Sequence, residues 1–158
     1  MKYIFSASKN PSIDAKSVLK KMIIDELGTD YEILYAPSGK PYIEGNQLFV
    51  SISHSKDFFL VGTNKLPVGV DIEVVRHFDN RLINRYFTSS EIAYIDSDEK
   101  FFKIWTVKEA FLKLTGEGLK GIKKLNTVTN GKIQIDGYEI LSFVESGCAI
   151  AIVYKLFN

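Results

Sequence analysis

Val68-Gly69-Val70-Asp71-Ile72-Glu73-Val74-Val75-Arg76 is the stretch from which the fold is read. Val68, Val70, Ile72 and Val74 alternate with Gly69, Asp71, Glu73 and Val75, the period of two that marks a strand with one face in a core. The same alternation sets Asp71 and Glu73 on one face, roughly 6.6 Å apart along the strand at 3.3 Å per residue. Two carboxylates so placed repel each other, and dehydrating them costs on the order of several kcal/mol per ion unless a compensating charge is present. A hard divalent cation meets both costs, because Mg²⁺ prefers carboxylate oxygens and keeps its remaining positions for water and phosphate. A solvated strand face is the alternative, and a second stretch is needed to choose.

The rest of the chain sets bounds on that choice. Its 158 residues predict one compact unit, which should bury ~70% of the surface its unfolded chain exposes. The 46% hydrophobic and 25% charged fractions are those of a soluble globular protein. A net charge of +1 gives no global attraction to nucleic acid or to an anionic membrane, so any pull on a charged partner has to be local. Cys148 is the only cysteine and lies in the apolar run 148–154, so it packs as a small hydrophobe and forms no internal disulfide. That fits a reducing compartment. Residues 1–8 hold too short an apolar stretch for a signal peptide, and no run approaches the ~20 residues of a membrane span. The expected location is cytoplasmic.

Periodicity and turn chemistry divide the chain further. Residues 2–7 read as a strand, and Ser12 or Asp14 is expected to cap a helix in which Ala15, Val18, Leu19, Met22, Ile23 and Leu27 repeat at helical spacing, with Gly28 as its stop. A strand over 31–35, a turn at 37–41 and a hairpin of 48–53 with 58–63 follow. Beyond the Asp71 strand, 79–86 is helix-compatible, and Thr88-Ser89-Ser90-Glu91 reads as a capping box for a short helix to about Ile95. Residues 101–114 predict a longer helix. Strands are expected at 126–129, 132–135, 138–144 and 148–154, with Asn130-Gly131 as a hairpin turn. Residues 48–65 and 138–155 both read as apolar strand, polar turn, apolar strand, lysine. The resulting expectation is an α+β protein of two similar half-domains, 1–66 and 67–158, joined in one unit.

The second stretch is Trp105-Thr106-Val107-Lys108-Glu109-Ala110-Phe111-Leu112-Lys113. Trp105, Glu109 and Lys113 fall at i, i+4 and i+8 and share one helical face. By itself this could be a surface Glu109–Lys113 ion pair worth ~0.3–0.5 kcal/mol. Beside Asp71 and Glu73, it is a third carboxylate and a lysine, the set a metal-bound diphosphate requires.

Here the sequence resembles the 4′-phosphopantetheinyl transferases, in particular their longer, surfactin-synthetase-activating class, built as a pseudo-dimer in one chain. Gly69-Val70-Asp71-Ile72-Glu73 resembles that family's G-[IV]-D-[IV]-E strand, and Trp105–Lys113 with Gly116 and Gly118-Leu119 its W-[ST]-x-K-E-[AS]-x-x-K…G-x-G-[LM] helix. Gly39-Lys40-Pro41-Tyr42 is similar to its G-K-P turn and Ser51-Ile52-Ser53-His54-Ser55 to its N-[IV]-S-H-[ST] hairpin. Residues 14–19 are a fainter match to a segment that usually begins with arginine, where this chain has Lys16. Residues 1–13, ahead of that segment, are fewer than the several dozen of longer members.

The resemblance implies transfer of 4′-phosphopantetheine from coenzyme A to a serine hydroxyl of an apo acyl or peptidyl carrier protein, with release of adenosine 3′,5′-bisphosphate. By motif position, Asp71, Glu73 and Glu109 would hold Mg²⁺ (or Mn²⁺), and Lys113 would contact the phosphate. Glu109, directly or through a bound water, would accept the serine proton. Lys40, Ser53 and His54 would line the nucleotide, with Lys16 and Ser17 near its 3′-phosphate. Two other readings stand beside this one: a lapsed member that binds carrier or coenzyme A without transfer, and a Mg²⁺-dependent nucleotide hydrolase, for which residues 116–121 lack the P-loop pattern. Lys108, Lys113, Lys120, Lys123 and Lys124 are expected to form a basic patch for an acidic carrier. The working unit is expected to be a monomer, one half standing where a second subunit would.

Overall fold

The computed structural model describes residues 1–156. In its first half the chain forms β1 (Lys2–Ala7), α1 (Pro11–Leu27), β2 (Leu34–Tyr35), β3 (Pro41–Tyr42), β4 (Phe49–Ser55) and β5 (Phe58–Asn64). There follow β6 (Val68–Val74), α2 (Asn80–Tyr86), α3 (Ser89–Tyr94), α4 (Asp98–Thr115), β7 (Val128–Thr129), β8 (Lys132–Ile133), β9 (Tyr138–Glu145) and β10 (Cys148–Lys155). The fold is α+β. Two antiparallel three-stranded sheets carry it, ordered β1-β5-β4 and β6-β10-β9. The hairpins β4–β5 and β9–β10 are the repeated unit legible in the sequence, and in both sheets the hairpin's second arm takes the centre. Among the described residues no helix is long and apolar enough to cross a membrane.

Strand alternation explains the layering. On β5, Phe59 and Val61 join Ala15, Leu19 and Ile23 of α1, whereas Leu60 joins the core between the sheets. On β6 and β10, Val68, Val70, Ile72, Cys148, Ile150 and Ile152 fill that same inter-sheet core. The opposite face of β10, with Ala149, Ala151 and Val153, lies against α4. Gly69 stands on the α4 side of β6, where a Cβ would come within 1.9 Å of the Ala110 carbonyl oxygen. Only glycine lets this helix approach so closely, and that approach brings Asp71 and Glu73, two and four residues on, under α4.

The two sheets also meet edge to edge. β4 and β6 run alongside each other, and the hydroxyls of Ser51, Ser53 and Ser55 accept the amides of Val70, Ile72 and Val74 at 3.0, 3.4 and 3.2 Å. Side chains thus do the work of a backbone ladder, at about 1 kcal/mol for each bond made.

Local expectations differ from the structure where partners are short or caps differ. Asn10 precedes α1 without a side-chain cap bond and Pro11 opens it; Ser12 and Asp14 lie inside, and the Asp14 carboxylate accepts from the Ser8 hydroxyl. Of residues 31–35 only Leu34–Tyr35 is strand, because its partner β3 has two residues, and Tyr31 and Ile33 pack on the α1 core instead. Only Val128–Thr129 and Lys132–Ile133 pair around the Asn130-Gly131 turn, where both residues have positive φ. α4 begins at Asp98, three residues earlier than its apolar period, since the Ser97 hydroxyl caps the amide of Lys100. The Thr88–Glu91 capping box forms in both directions.

Candidate active site

Asp71 and Glu73 leave β6 on the face beneath α4, and Trp105, Glu109 and Lys113 descend from α4 toward them. With Ser53 and His54 of β4 these side chains line one open cavity of about 370 Å³. A second, more enclosed cavity of about 200 Å³ adjoins it between the 38–41 turn and the end of α4; Lys40, Pro41, Leu112 and Leu119 line it, and Glu109 and Lys113 face both.

Lys113 is partnered by Asp71 rather than by Glu109. Its ammonium donates to Asp71 Oδ1 at 2.7 Å and to Ser53 Oγ at 2.9 Å, and Ser53 Oγ donates to the same Oδ1 at 2.7 Å. Asp71 Oδ2 is buried and has no hydrogen-bond partner. Burial raises the Asp71 pKa, with the Lys113 ammonium opposing it. Glu73 Oε2 accepts from Ser55 Oγ at 3.0 Å and from Arg76 Nη1 at 3.1 Å, and the Arg76 guanidinium lies 4.8 Å from the centre of the Phe102 ring. Burial first, and the Asp71 charge second, push Glu109 up to about 7. Among the described residues, no three acidic, histidine or cysteine side chains converge as a ready set of metal ligands. The carboxylates share a cavity, in which Lys113 is bonded to Asp71 and Arg76 to Glu73.

The remaining expected site residues divide. Lys40 reaches α4, where its ammonium donates to the Leu114 carbonyl at 2.6 Å, capping the helix; burial lowers its pKa. Ser53 is buried and tied to Asp71, Lys113 and the Ile72 amide. His54 is exposed at the cavity rim. Lys16 and Ser17 lie on the exposed side of α1 and line neither cavity, and the Lys16 ammonium sits 5.4 Å from the Tyr35 ring centre.

Lys108 corrects the basic patch. It is completely buried, with its ammonium 2.6 Å from Glu91 Oε2 and 2.7 Å from the Leu125 carbonyl. Glu91, equally buried, also accepts from the amides of Thr88 and Thr127, both at 2.8 Å, and from the Thr127 hydroxyl at 2.9 Å. Burial lowers the Lys108 pKa despite Glu91. With Lys113 inside the site, only Lys120, Lys123 and Lys124 of the five are exposed. Ser55, Arg76 and Glu91 were not among the expected site residues. The alternate serines on β4 and the capping box were the signals in the sequence for two of them.

Comparison with known proteins gives the family. The chain resembles the 4′-phosphopantetheinyl transferase gsp of Aneurinibacillus migulanus, at 27% identity over 128 residues, 75% of this chain and 54% of that protein. It resembles 4′-phosphopantetheinyl transferase psf-1 of Bacillus pumilus at 35% identity over 89 residues, 52% and 38% of the two chains. With AcpT of Salmonella typhi, also named a 4′-phosphopantetheinyl transferase, it shares 37% identity over 95 residues, 54% and 50% of the two chains. It thus spans about half, or less, of the length of the curated relatives it matches. The profile of one family matches residues 67–146, from the start of β6 through α4 into β9, and on that match the chain belongs to the 4′-phosphopantetheinyl transferase superfamily.

Proposed function

We propose that the protein transfers 4′-phosphopantetheine from coenzyme A to a serine hydroxyl of an apo acyl or peptidyl carrier protein, releasing adenosine 3′,5′-bisphosphate. One observation carries this reading: in a member of this superfamily, Asp71, Glu73, Glu109 and Lys113 line the same open cavity. Transfer of a phosphoryl-linked group needs positioning and charge neutralisation more than a protein nucleophile. Cys148, the sole cysteine, is buried in the inter-sheet core, consistent with a reaction that uses no thiol of the protein.

The donors suit a hard divalent cation. Asp71 Oδ2 is buried without a partner, and burial, with the Asp71 charge second, holds Glu109 near 7. Oxygen donors of this kind favour Mg²⁺ or Mn²⁺. Asp71, Glu73 and Glu109 would hold the ion, which when bound supplies the positive charge that a diphosphate requires. Lys113, on its flexible stem, turns from Asp71 to a phosphate oxygen. By motif position Lys40, Ser53 and His54 would contact the nucleotide, and Lys16 and Ser17, outside both cavities, its 3′-phosphate. Glu109, directly or through a bound water, accepts the proton of the incoming serine hydroxyl.

In this reading the protein is monomeric and cytoplasmic, and residues 1–66 and 67–158 are its half-domains, a division supported by the shared strand order and the β4–β6 seam. The assay is intact mass of a panel of apo carrier proteins after incubation with coenzyme A, with Mg²⁺ or with EDTA. The expected result is a carrier gaining one phosphopantetheine in Mg²⁺ and none in EDTA, with Asp71→Ala and Glu109→Ala inactive but folded. Coenzyme A consumed without a carrier would indicate hydrolysis. Binding without transfer would indicate a lapsed enzyme. Full activity of Asp71→Ala in EDTA would overturn the metal assignment.

A further inference from the structure

Two of the three seam serines of β4, Ser53 and Ser55, each meet two consecutive residues of β6. Ser53 Oγ accepts from the Ile72 amide at 3.4 Å and donates to Asp71 Oδ1 at 2.7 Å. Ser55 Oγ accepts from the Val74 amide at 3.2 Å and donates to Glu73 Oε2 at 3.0 Å. Ser51 Oγ accepts from the Val70 amide at 3.0 Å, and the residue before Val70 is Gly69, which has no side chain to meet it. A hydroxyl has one proton to give. Wherever β6 carries a carboxylate, the facing serine spends that proton on it.

These bonds sort the carboxylate oxygens. On Asp71, Ser53 and Lys113 both engage Oδ1, and Oδ2 is buried with no partner. On Glu73, Ser55 and Arg76 both engage Oε2. The protein thus gathers its own donors on one oxygen of each carboxylate and, among the described residues, places none on the other. A hydrogen bond from outside the coordination shell orients a metal-binding carboxylate in this way.

We infer that Ser55 and Ser53 are positioning residues, through which β4 aims Glu73 and Asp71 at the cation. The inference rests on the reading of these carboxylates as cation-binding. Ser55 is the cleaner case, because Ser53 also touches Lys113. It differs from a merely structural role for the seam, which would make all three serines alike. Ser51 is the internal control, with the same amide bond and no carboxylate.

The experiment measures Mn²⁺ binding to the free protein, without coenzyme A, by electron paramagnetic resonance of the unbound ion, alongside melting curves. Ser55→Ala is expected to weaken Mn²⁺ binding about tenfold, and Ser55→Thr, which keeps the hydroxyl, to retain most of the affinity. Ser51→Ala should lower the melting temperature to a similar extent as Ser55→Ala but leave Mn²⁺ binding unchanged. Equal Mn²⁺ affinity in Ser55→Ala and wild type, or equal losses in Ser51→Ala and Ser55→Ala, would overturn the inference. Should Ser55→Ala not fold, the threonine variant decides: its loss of Mn²⁺ affinity with the fold intact would also overturn it. A wild-type protein that binds no Mn²⁺ would remove the metal reading itself, and this inference with it.

Discussion

Glu91→Gln isolates the buried ion pair beneath the site. The substitution keeps the size of the side chain and removes its charge, leaving the completely buried Lys108 ammonium with the Leu125 carbonyl and, 5.5 Å away, the face of Phe87. Breaking a buried pair from one side costs about 3–5 kcal/mol. The bonding pattern points the same way: the two oxygens of Glu91 accept from Thr88, Lys108 and twice from Thr127. An amide has one oxygen, so either orientation strands two of these donors, at about 1–3 kcal/mol each where buried. The two costs describe the same lost contacts and overlap rather than add. For a domain holding about 5–15 kcal/mol in all, the loss is a large fraction. At about 2–4 °C per kcal/mol for a chain this size, the melting temperature should fall by ~6–20 °C. Lys108 already titrates below its ordinary range because of burial. A base whose folded pKa lies below its unfolded one gains stability as pH rises through that interval, so the deficit of Glu91→Gln should shrink in alkaline solution. Urea unfolding followed by Trp105 fluorescence, at pH 6 and pH 9, measures both effects. Glu91→Met with Lys108→Met should recover much of the loss, since an apolar pair of similar volume avoids the dehydration. A single variant as stable as wild type, or a double variant worse than either single one, would refute the reasoning.

Four other outcomes are expected. Lys40→Ala and His54→Ala should chiefly raise the KM for coenzyme A with a smaller fall in kcat; an unchanged KM in both would remove them from the nucleotide. Glu109 titrates near 7 when folded and near its ordinary 4.5 when unfolded, so the fold is penalised as pH rises through that interval. Glu109→Gln should therefore be more stable than wild type at pH 8 and equal to it near pH 4.5, by denaturant titration in EDTA, and a pH-independent difference would contradict this. Reversing the exposed Lys120, Lys123 and Lys124 to glutamate should raise the KM for an acidic carrier, as should 1 M salt, where screening tightens to ~3 Å; no change in either would dismiss the patch. Light scattering over a tenfold concentration range should give a mass near 17.9 kDa, and a stable trimer would contradict the monomer.

What the sequence made legible, and what it left out, follows from the range of each signal. A period of two placed Asp71 and Glu73 on one face of β6, and glycine at 69 is explained by the helix that rides over it. A period of 3.6 put Trp105, Glu109 and Lys113 on one face of α4, and all three line the cavity. Both signals are local. Pairing is not, so the ion partner on offer to Lys113 was Glu109, four residues away, whereas Lys113 meets Asp71 across 42 positions of sequence. The serines of β4 carried a period of two as well, but a hydroxyl fits a solvated face and a seam alike, and only the adjacent edge of β6 turns them into donors.

Lys108 and Glu109 mark the limit most sharply. They are neighbours on one helix, both charged, and about 100° apart around its axis. Helical spacing assigned Glu109 to the face of Trp105 and Lys113, which is correct, whereas the face that carries Lys108 was expected to belong to an exposed basic patch. That face is buried because α3 and the 125–127 segment close over it, and Glu91, first committed to the Thr88 capping box, has a second use there as counter-charge. The capping box was legible within four residues; the ion pair spans 17 and exists only once the helices cross. The buried pair fixes α4 one residue from the carboxylate that faces the cavity. The residue that holds the helix and the residue offered to the reaction are therefore consecutive, and their roles are separated by the turn of the helix alone.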